Sequence, residues 1–415
     1  MPVSPDSPAT PATPDDAALP LSVRRPLQTA LALSLGAAIS LGLSRFSYAL
    51  LLPPMRADLH WSYFLSGAMN TANALGYFAG ALVTPALLRR QRAQVLLTGG
   101  ALMAAAVLAL AGFVESTALL MLLRLLAGVA SALVFIAGGV LAARLCSLHP
   151  ERAGLLIGMY YGGTGIGIAV SSLLVPAAIS AAAAHGAVHH WQAAWVALGA
   201  VCLAATLLLA PAASRIDGAP AKTGATGGFT LRPFAFGLAG YLMFGVGYIA
   251  YMTFVIALLK EQGMQPGAIS WFYTMLGLAV MASSRVWAGL LDRYQDGRPM
   301  ALLNGLLGVA TILPALTAAP PLLFLSGLMF GGIFLSVVAS TTALVRHNLP
   351  AHAWPAGISA FTTVFAAGQI VGPAVIGWVA DGPGGLQRGL LWSAGALFVG
   401  ALLASRQKSL TGAKA

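Results

Sequence analysis

The stretch LQTALALSLGAAISLGLSRFSYALLL, residues 27–52, is an apolar run broken by one charge, Arg45. A membrane-crossing helix needs about 20 apolar residues, and this run exceeds that length. Arg24-Arg25 stands just before it, in the manner of a twin-arginine signal. The run is too long for a signal core and is followed by eleven more like it, so it reads as a retained first span. The later runs cover residues 63–88, 93–114, 117–145, 153–180, 191–212, 233–259, 267–291, 299–318, 321–345, 355–380 and 386–404. Breakers separate several of them: Pro53-Pro54, Pro150, Pro266, Pro320-Pro321 and Gly382-Pro383-Gly384. Of the 415 residues, 58% are apolar and 8% charged, where a soluble domain carries about 25% charged residues. That balance excludes a soluble enzyme, a disordered chain and a disulfide scaffold, and leaves an all-α membrane protein of twelve helices. The cysteines, Cys146 and Cys202, lie in or beside apolar runs and read as small buried hydrophobes.

The basic residues predict the topology. With the N-terminus placed in the cytoplasm, 16 of the 22 Lys and Arg fall on the cytoplasmic side. Three, Arg56, Lys260 and Arg388, fall opposite, and Arg45, Arg124 and Arg285 fall within spans. Such asymmetry is the positive-inside pattern. The charge of +11 therefore reads as topology and contact with anionic lipid at the cytoplasmic face, not as nucleic-acid binding. Residues 1–26 read as a disordered cytoplasmic tail, 27–213 as an N-terminal six-helix half and 214–232 as a polar, Gly-rich cytoplasmic linker. Residues 233–404 then form the second six-helix half, and 405–415 a second cytoplasmic tail.

The two halves echo each other at an offset of 203 residues. Gly42 falls on Gly245, Arg90 on Arg293, Gly128 on Gly331, Gly154 on Gly357 and Gly165 on Gly368. Leu87-Leu88-Arg89-Arg90 falls on Leu290-Leu291-Asp292-Arg293. One constant offset across several helix pairs implies two parallel, pseudo-symmetric six-helix halves. A transporter built this way holds its site between the halves near the midplane.

Over residues 27–404 the chain resembles the major facilitator superfamily (MFS). The loop after span 8, Ala288-Gly-Leu-Leu-Asp292-Arg293-Tyr-Gln-Asp-Gly297-Arg298, is similar to that family's loop motif, with two extra residues before Gly297. The resemblance implies a gating clamp at the cytoplasmic face for Asp292, Arg293, Gly297 and Arg298. The loop after span 2 keeps Arg89 and Arg90 and lacks the Asp. Arg124-Leu-Leu-Ala-Gly128 in span 4 and the glycines of span 5 add to the likeness. Gly42-Leu-Ser-Arg45-Phe-Ser-Tyr48-Ala-Leu-Leu-Leu-Pro53 with Asn73-Ala-Leu-Gly76-Tyr77 resembles the bacterial YbfB/YjiJ branch, which implies a transporter of the bacterial inner membrane. Arg285-Val-Trp-Ala-Gly289 resembles a motif of monocarboxylate porters. In that group a basic residue on span 1 and this Arg serve the substrate carboxylate. Their acidic residue four places earlier is Met281 here.

An ionisable group inside a span costs at least about 2.5–3.5 kcal/mol. Arg45, Arg124 and Arg285 are therefore the leading functional candidates. All eleven acids fall in tails, loops or span ends, so none neutralises Arg45 or Arg285 at mid-membrane within its own helix. An anionic substrate would supply the counterion. Arg124 is equally readable as a structural tie from span 4 to span 1, and Arg285 as a side chain that snorkels to the cytoplasmic face. Tyr248 holds Arg45's place in the second half, so both are expected to face one cavity. Tyr48, Asn73 and Gln369 join the expected substrate-binding set, and interhelical bonding is the competing role for such groups. Of Tyr160-Tyr161, at most one faces a cavity. His185, His189 and His190 share an outer loop with no adjacent acid or Cys, which favours a solvated loop over a metal site.

No phosphate-binding loop and no enzyme signature is present. The expectation is a non-enzymatic, monomeric secondary transporter of a small organic anion, a mono- or dicarboxylate, with no cofactor and no metal. The alternative is an exporter of apolar or cationic compounds. A membrane sensor is a third reading, disfavoured by tails too short for a signalling domain.

Overall fold

The computed structural model describes residues 25–216 and 229–410. The tails and the linker expected at 1–26, 214–232 and 405–415 fall largely outside the described residues. The described chain is helical, with no strand, and holds twelve helices long and apolar enough to cross a membrane. They are α1 Pro26–Asp58, α2 Tyr63–Leu88, α3 Ala93–Ala111, α4 Thr117–Leu148, α5 Pro150–Ala184 and α6 Trp191–Ala213. The second set is α7 Arg232–Glu261, α8 Pro266–Arg293, α9 Arg298–Leu316, α10 Pro320–Asn348, α11 Ala356–Asp381 and α12 Gly385–Ser405. Helices close all their backbone bonds internally, which the hydrocarbon core demands. Large apolar side chains such as Leu82, Leu208, Trp378 and Leu402 remain exposed on the outside of the bundle.

Both described chain ends lie on one face, here the tail face; Asp58, Tyr63 and Asp381 mark the far face. One boundary departs from the sequence reading. Pro53-Pro54 does not end the first helix, which continues to Asp58 and carries Arg56 in its last turn. Proline's fixed φ suits a helix, and neighbouring helices tolerate the missing amide hydrogens. A second departure lies inside α8, which breaks at Trp287 before a short last segment, Ala288–Arg293.

The internal repeat is present in the packing itself. Gly128 of α4 lies so close to the Asn73 carbonyl of α2 that a methyl there would collide with it. Gly331 of α10 meets the Leu276 carbonyl of α8 in the same way. Both residues of the first contact map onto both of the second at the offset of 203. Small residues at these crossings let backbones touch, which drives helix association in lipid.

The halves meet along α2 with α11 and α5 with α8. Thr71 Oγ1 donates to Ile370 O at 2.8 Å, Ser172 and Thr274 hydroxyls pair at 2.6 Å, and Tyr273 donates to Phe46 O at 2.7 Å. Asn70 Nδ2 donates to Thr253 Oγ1 at 2.7 Å. These partners all lie within about twelve residues of the far ends of their helices. The halves are thus joined over the far-face part of the bundle.

Candidate functional site

Residues 38–46 of α1 wind as a π-helix, closed by Ser47 N donating to Gly42 O at 3.1 Å. Such segments re-aim side chains and recur at functional sites. Arg45 sits in this segment, 2% exposed, with its Nε and Nη2 buried and without a hydrogen-bond partner. Its guanidinium carbon is 5.7 Å from the ring centre of Tyr77 on α2. Tyr248 of α7 is within electrostatic reach, and its hydroxyl donates to Gln369 Oε1 of α11 at 3.1 Å. Helices α1, α2 and α7 thus meet near this cation, and α11 joins them through the bond of Gln369 to Tyr248. Aromatic rings back the group. Tyr248 stacks on Phe244 at 4.7 Å, Phe365 at 5.5 Å and Phe334 at 5.9 Å, all near parallel. Phe46 meets Phe334 edge-on at 5.8 Å.

Three other expected residues form a separate cluster inside the first half. Arg124 Nη1 donates to Ser44 O at 2.8 Å and Nη2 to Asn70 Oδ1 at 2.7 Å. Its guanidinium lies over Tyr48 at 4.7 Å and Trp195 at 5.8 Å. Tyr48 donates to Ser66 O at 3.0 Å, and Asn73 Nδ2 to Arg124 O at 3.1 Å. These contacts tie α1, α2 and α4 together, and Asn70 passes the chain on to Thr253 of the other half.

Arg285 is exposed, next to the last residue of the first α8 segment. Counted from the far ends, Arg45 lies about 20 Å and Arg285 about 29 Å along their helices. The structure does not bring it into the Arg45 group. Met281 packs against Gly165 of α5. Of the tyrosine pair, Tyr160 is buried and donates to Phe135 O at 2.7 Å, while Tyr161 is exposed.

In the loop after α8, Gly297 N donates to Gln407 O at 3.0 Å, and no side chain would fit against the Ala404 carbonyl. Asp296 pairs with Arg298 at 3.2 Å, and both Arg293 and Arg298 lie over Tyr294. Asp292 lines a tail-face pocket with Arg346, His347 and Trp354. Arg89 and Arg90 are exposed in the turn after α2.

Two far-face groups escaped the sequence reading. Asp381, at the end of α11, accepts from Tyr63 N at 2.7 Å and Phe64 N at 2.8 Å, capping α2 from the opposite half. The Tyr63 hydroxyl donates to Glu261, and Arg56 stacks on the Tyr63 ring at 3.7 Å. One signal was available: an acid at a helix C-terminus opposes the helix dipole and wants a partner elsewhere. The histidine loop is the second group, and it is not simply solvated. His189 Nδ1 bonds Asp58 Oδ2 at 2.6 Å and Nε2 lies 3.4 Å from Glu115, while Trp191 donates to Asp58 at 2.5 Å. The hydrogen bond to Asp58 holds the His189 imidazolium to higher pH than usual. Tertiary folding supplies the acids that are absent from the loop itself. Among the described residues no group of His, Cys, Asp and Glu is placed to hold a metal.

The profile of the family described as "Uncharacterised MFS-type transporter YbfB" matches residues 37–405. The chain belongs to this family. No curated protein matches it in sequence. Solved structures are similar in fold. A bacterial homologue of the human lysosomal transporter Spinster, inward-facing and unoccupied, aligns with a TM-score of 0.69 at 14% identity, covering 91% of this chain and 96% of the other. A point mutant of the nucleoside transporter NupG gives 0.71 at 17%, covering 91% and 99%. The MFS transporter FucP in its outward conformation gives 0.61 at 16%, covering 93% and 99%. At these identities the likeness shows the fold. The YbfB-type chain is thus an MFS transporter, a multi-pass membrane protein whose halves meet around Arg45.

Proposed function

We propose that this transporter carries a small organic anion by alternating access between its halves. One observation supports the reading above the others: Arg45 is buried between the halves with two guanidinium nitrogens unpartnered. A buried charge without a counterion is costly, and a carboxylate bound bidentately would relieve that cost. Tyr248 and Gln369 stand ready to orient the second half around the same group. The described acids all lie at helix ends or in loops, which leaves a cationic drug no mid-membrane carboxylate.

The basic asymmetry supports a cytoplasmic tail face, contact there with anionic lipid, and insertion in a bacterial inner membrane. The Arg45 group is complete in one chain, which supports a monomer as the working unit. Asp292, Arg293, Gly297 and Arg298 sit where a tail-face clamp would act, with Arg89 and Arg90 opposite in the repeat. Arg285 at the tail-face end of α8 would attract anions toward the site.

Uptake of labelled acetate, benzoate and succinate into proteoliposomes is the test. Flux of at least one anion that Arg45→Ala abolishes supports the proposal. Equal flux with Arg45→Ala, or flux of cations alone, overturns it.

A further inference from the structure

The Arg45 group carries information about the charge and shape of its ligand. Of the three arginines within spans, Arg124 has a carbonyl and an amide oxygen on its two terminal nitrogens. Arg285 is exposed. Arg45 alone among these three is both buried and without a hydrogen-bond partner on Nε and Nη2. Arg45 is therefore the one of the three that still offers a ligand both Nε and a terminal nitrogen inside the bundle. The neutral partners nearby are a phenol and an amide, Tyr248 and Gln369, which bond to oxygen without adding charge.

The shape follows from the aromatic side chains. Tyr248, Phe244, Phe365 and Phe334 are near parallel, with interplanar angles of 18° between Phe244 and Tyr248, 20° between Tyr248 and Phe365, and 8° between Tyr248 and Phe334. Phe365 is only half-buried, as is Tyr77 beside Arg45, and Tyr161 is exposed. Phe365 also stacks on Tyr241 at 4.8 Å, so the rings run on past Tyr248, and the half-buried Phe365 and Tyr77 leave part of their ring surface uncovered. A further flat ring extends such a stack at favourable geometry, and a saturated ring of equal size does not.

We infer that the ligand class is the planar aromatic monocarboxylate, with its carboxylate on Arg45 and its ring against the face of Phe365 or Tyr77. The inference rests on the anion reading above and narrows it. A dicarboxylate would bring a second carboxylate, and Arg124, whose Nη1 and Nη2 are already occupied, leaves it only one buried nitrogen.

The experiment compares direct uptake of four labelled probes by wild-type protein in proteoliposomes. Benzoate is planar with one charge, cyclohexanecarboxylate has the same charge without planarity, phthalate has two charges, and acetate has no ring. Benzoate is expected to show the highest uptake efficiency, about two- to tenfold above cyclohexanecarboxylate, as one aromatic contact predicts. Phe365→Leu is expected to narrow that ratio toward one. Benzoate and cyclohexanecarboxylate taken up equally, or phthalate or acetate preferred, would overturn the aromatic inference and leave the anion reading standing. No flux of any of the four would sink both. The wild-type probe series decides the matter even where Phe365→Leu does not fold.

Discussion

Arg45 and Tyr248 hold equivalent positions in the two repeats, 203 residues apart, and the fold brings them within electrostatic reach across the inter-half interface. A pseudo-twofold related pair has thus diverged into a cation and a phenol. The cation lacks partners, and the phenol is already held by Gln369.

Because the Arg45 guanidinium has Nε and Nη2 unpartnered, its removal should cost function and not stability. Arg45→Ala is expected to lower anion uptake efficiency about 30- to 1000-fold, the equivalent of about 2–4 kcal/mol for a charge-assisted bidentate contact. Arg45→Lys keeps the charge, loses the fork and should fall between. Thermal unfolding in detergent should be unchanged or raised for both. A lower melting temperature for Arg45→Ala, with normal uptake, would show a structural residue.

Arg124 should behave in the opposite way. Arg124→Ala orphans the Ser44 carbonyl and the Asn70 amide oxygen, each costing about 1–3 kcal/mol when buried. The melting temperature is expected to drop, and the residual folded fraction should keep wild-type selectivity among anions. A change in anion preference at unchanged stability would move Arg124 into the substrate site.

Asp381 caps α2 across the interface, so it should hold the far face shut. Asp381→Ala is expected to speed hydrogen exchange at the Tyr63 and Phe64 amides by about tenfold, the equivalent of about 1.4 kcal/mol lost from a charged cap. Peptide-level exchange by mass spectrometry over residues 62–66 reads this directly. Unaltered exchange would mean that the far face is closed by other contacts.

The His189 cluster makes far-face stability depend on pH. Its imidazolium is favoured in the folded protein by the bond to Asp58. The contribution is therefore complete below the unfolded value of about 6.5 and is lost as pH rises through the higher folded value. The melting temperature of wild type should decline across that window more steeply than that of His189→Gln. Parallel curves for the two proteins would count against this linkage.

The repeat contact predicts matched lesions. Gly128→Ala and Gly331→Ala each place a methyl against a carbonyl on the neighbouring helix. Both should destabilise by about 1–3 kcal/mol, the usual cost of overpacking. Denaturation in mild detergent with added SDS compares them, and a neutral effect at either site would break the equivalence.

The twelve helices, their near-boundaries and the repeat could be read from sequence because bilayer thickness and backbone satisfaction leave few choices. An apolar run of sufficient length must be a helix, and a constant offset of 203 residues must recur in space. Intramembrane arginines were also visible, since a charge in an apolar run is conspicuous. Their roles were not. Whether Arg45, Arg124 or Arg285 is satisfied depends on groups from other helices, such as Ser44, Asn70 and Tyr248, and on a π-helical turn with no signature in residue order. The same holds for Asp381 on α2 and for Asp58 and Glu115 on His189, partners 317, 131 and 74 residues away in the chain. Helix formation in a membrane is decided by local hydrogen bonding and hydropathy, which sequence carries directly. The pairing of polar groups is decided by helix rotation and crossing, and those are set only when all twelve helices pack.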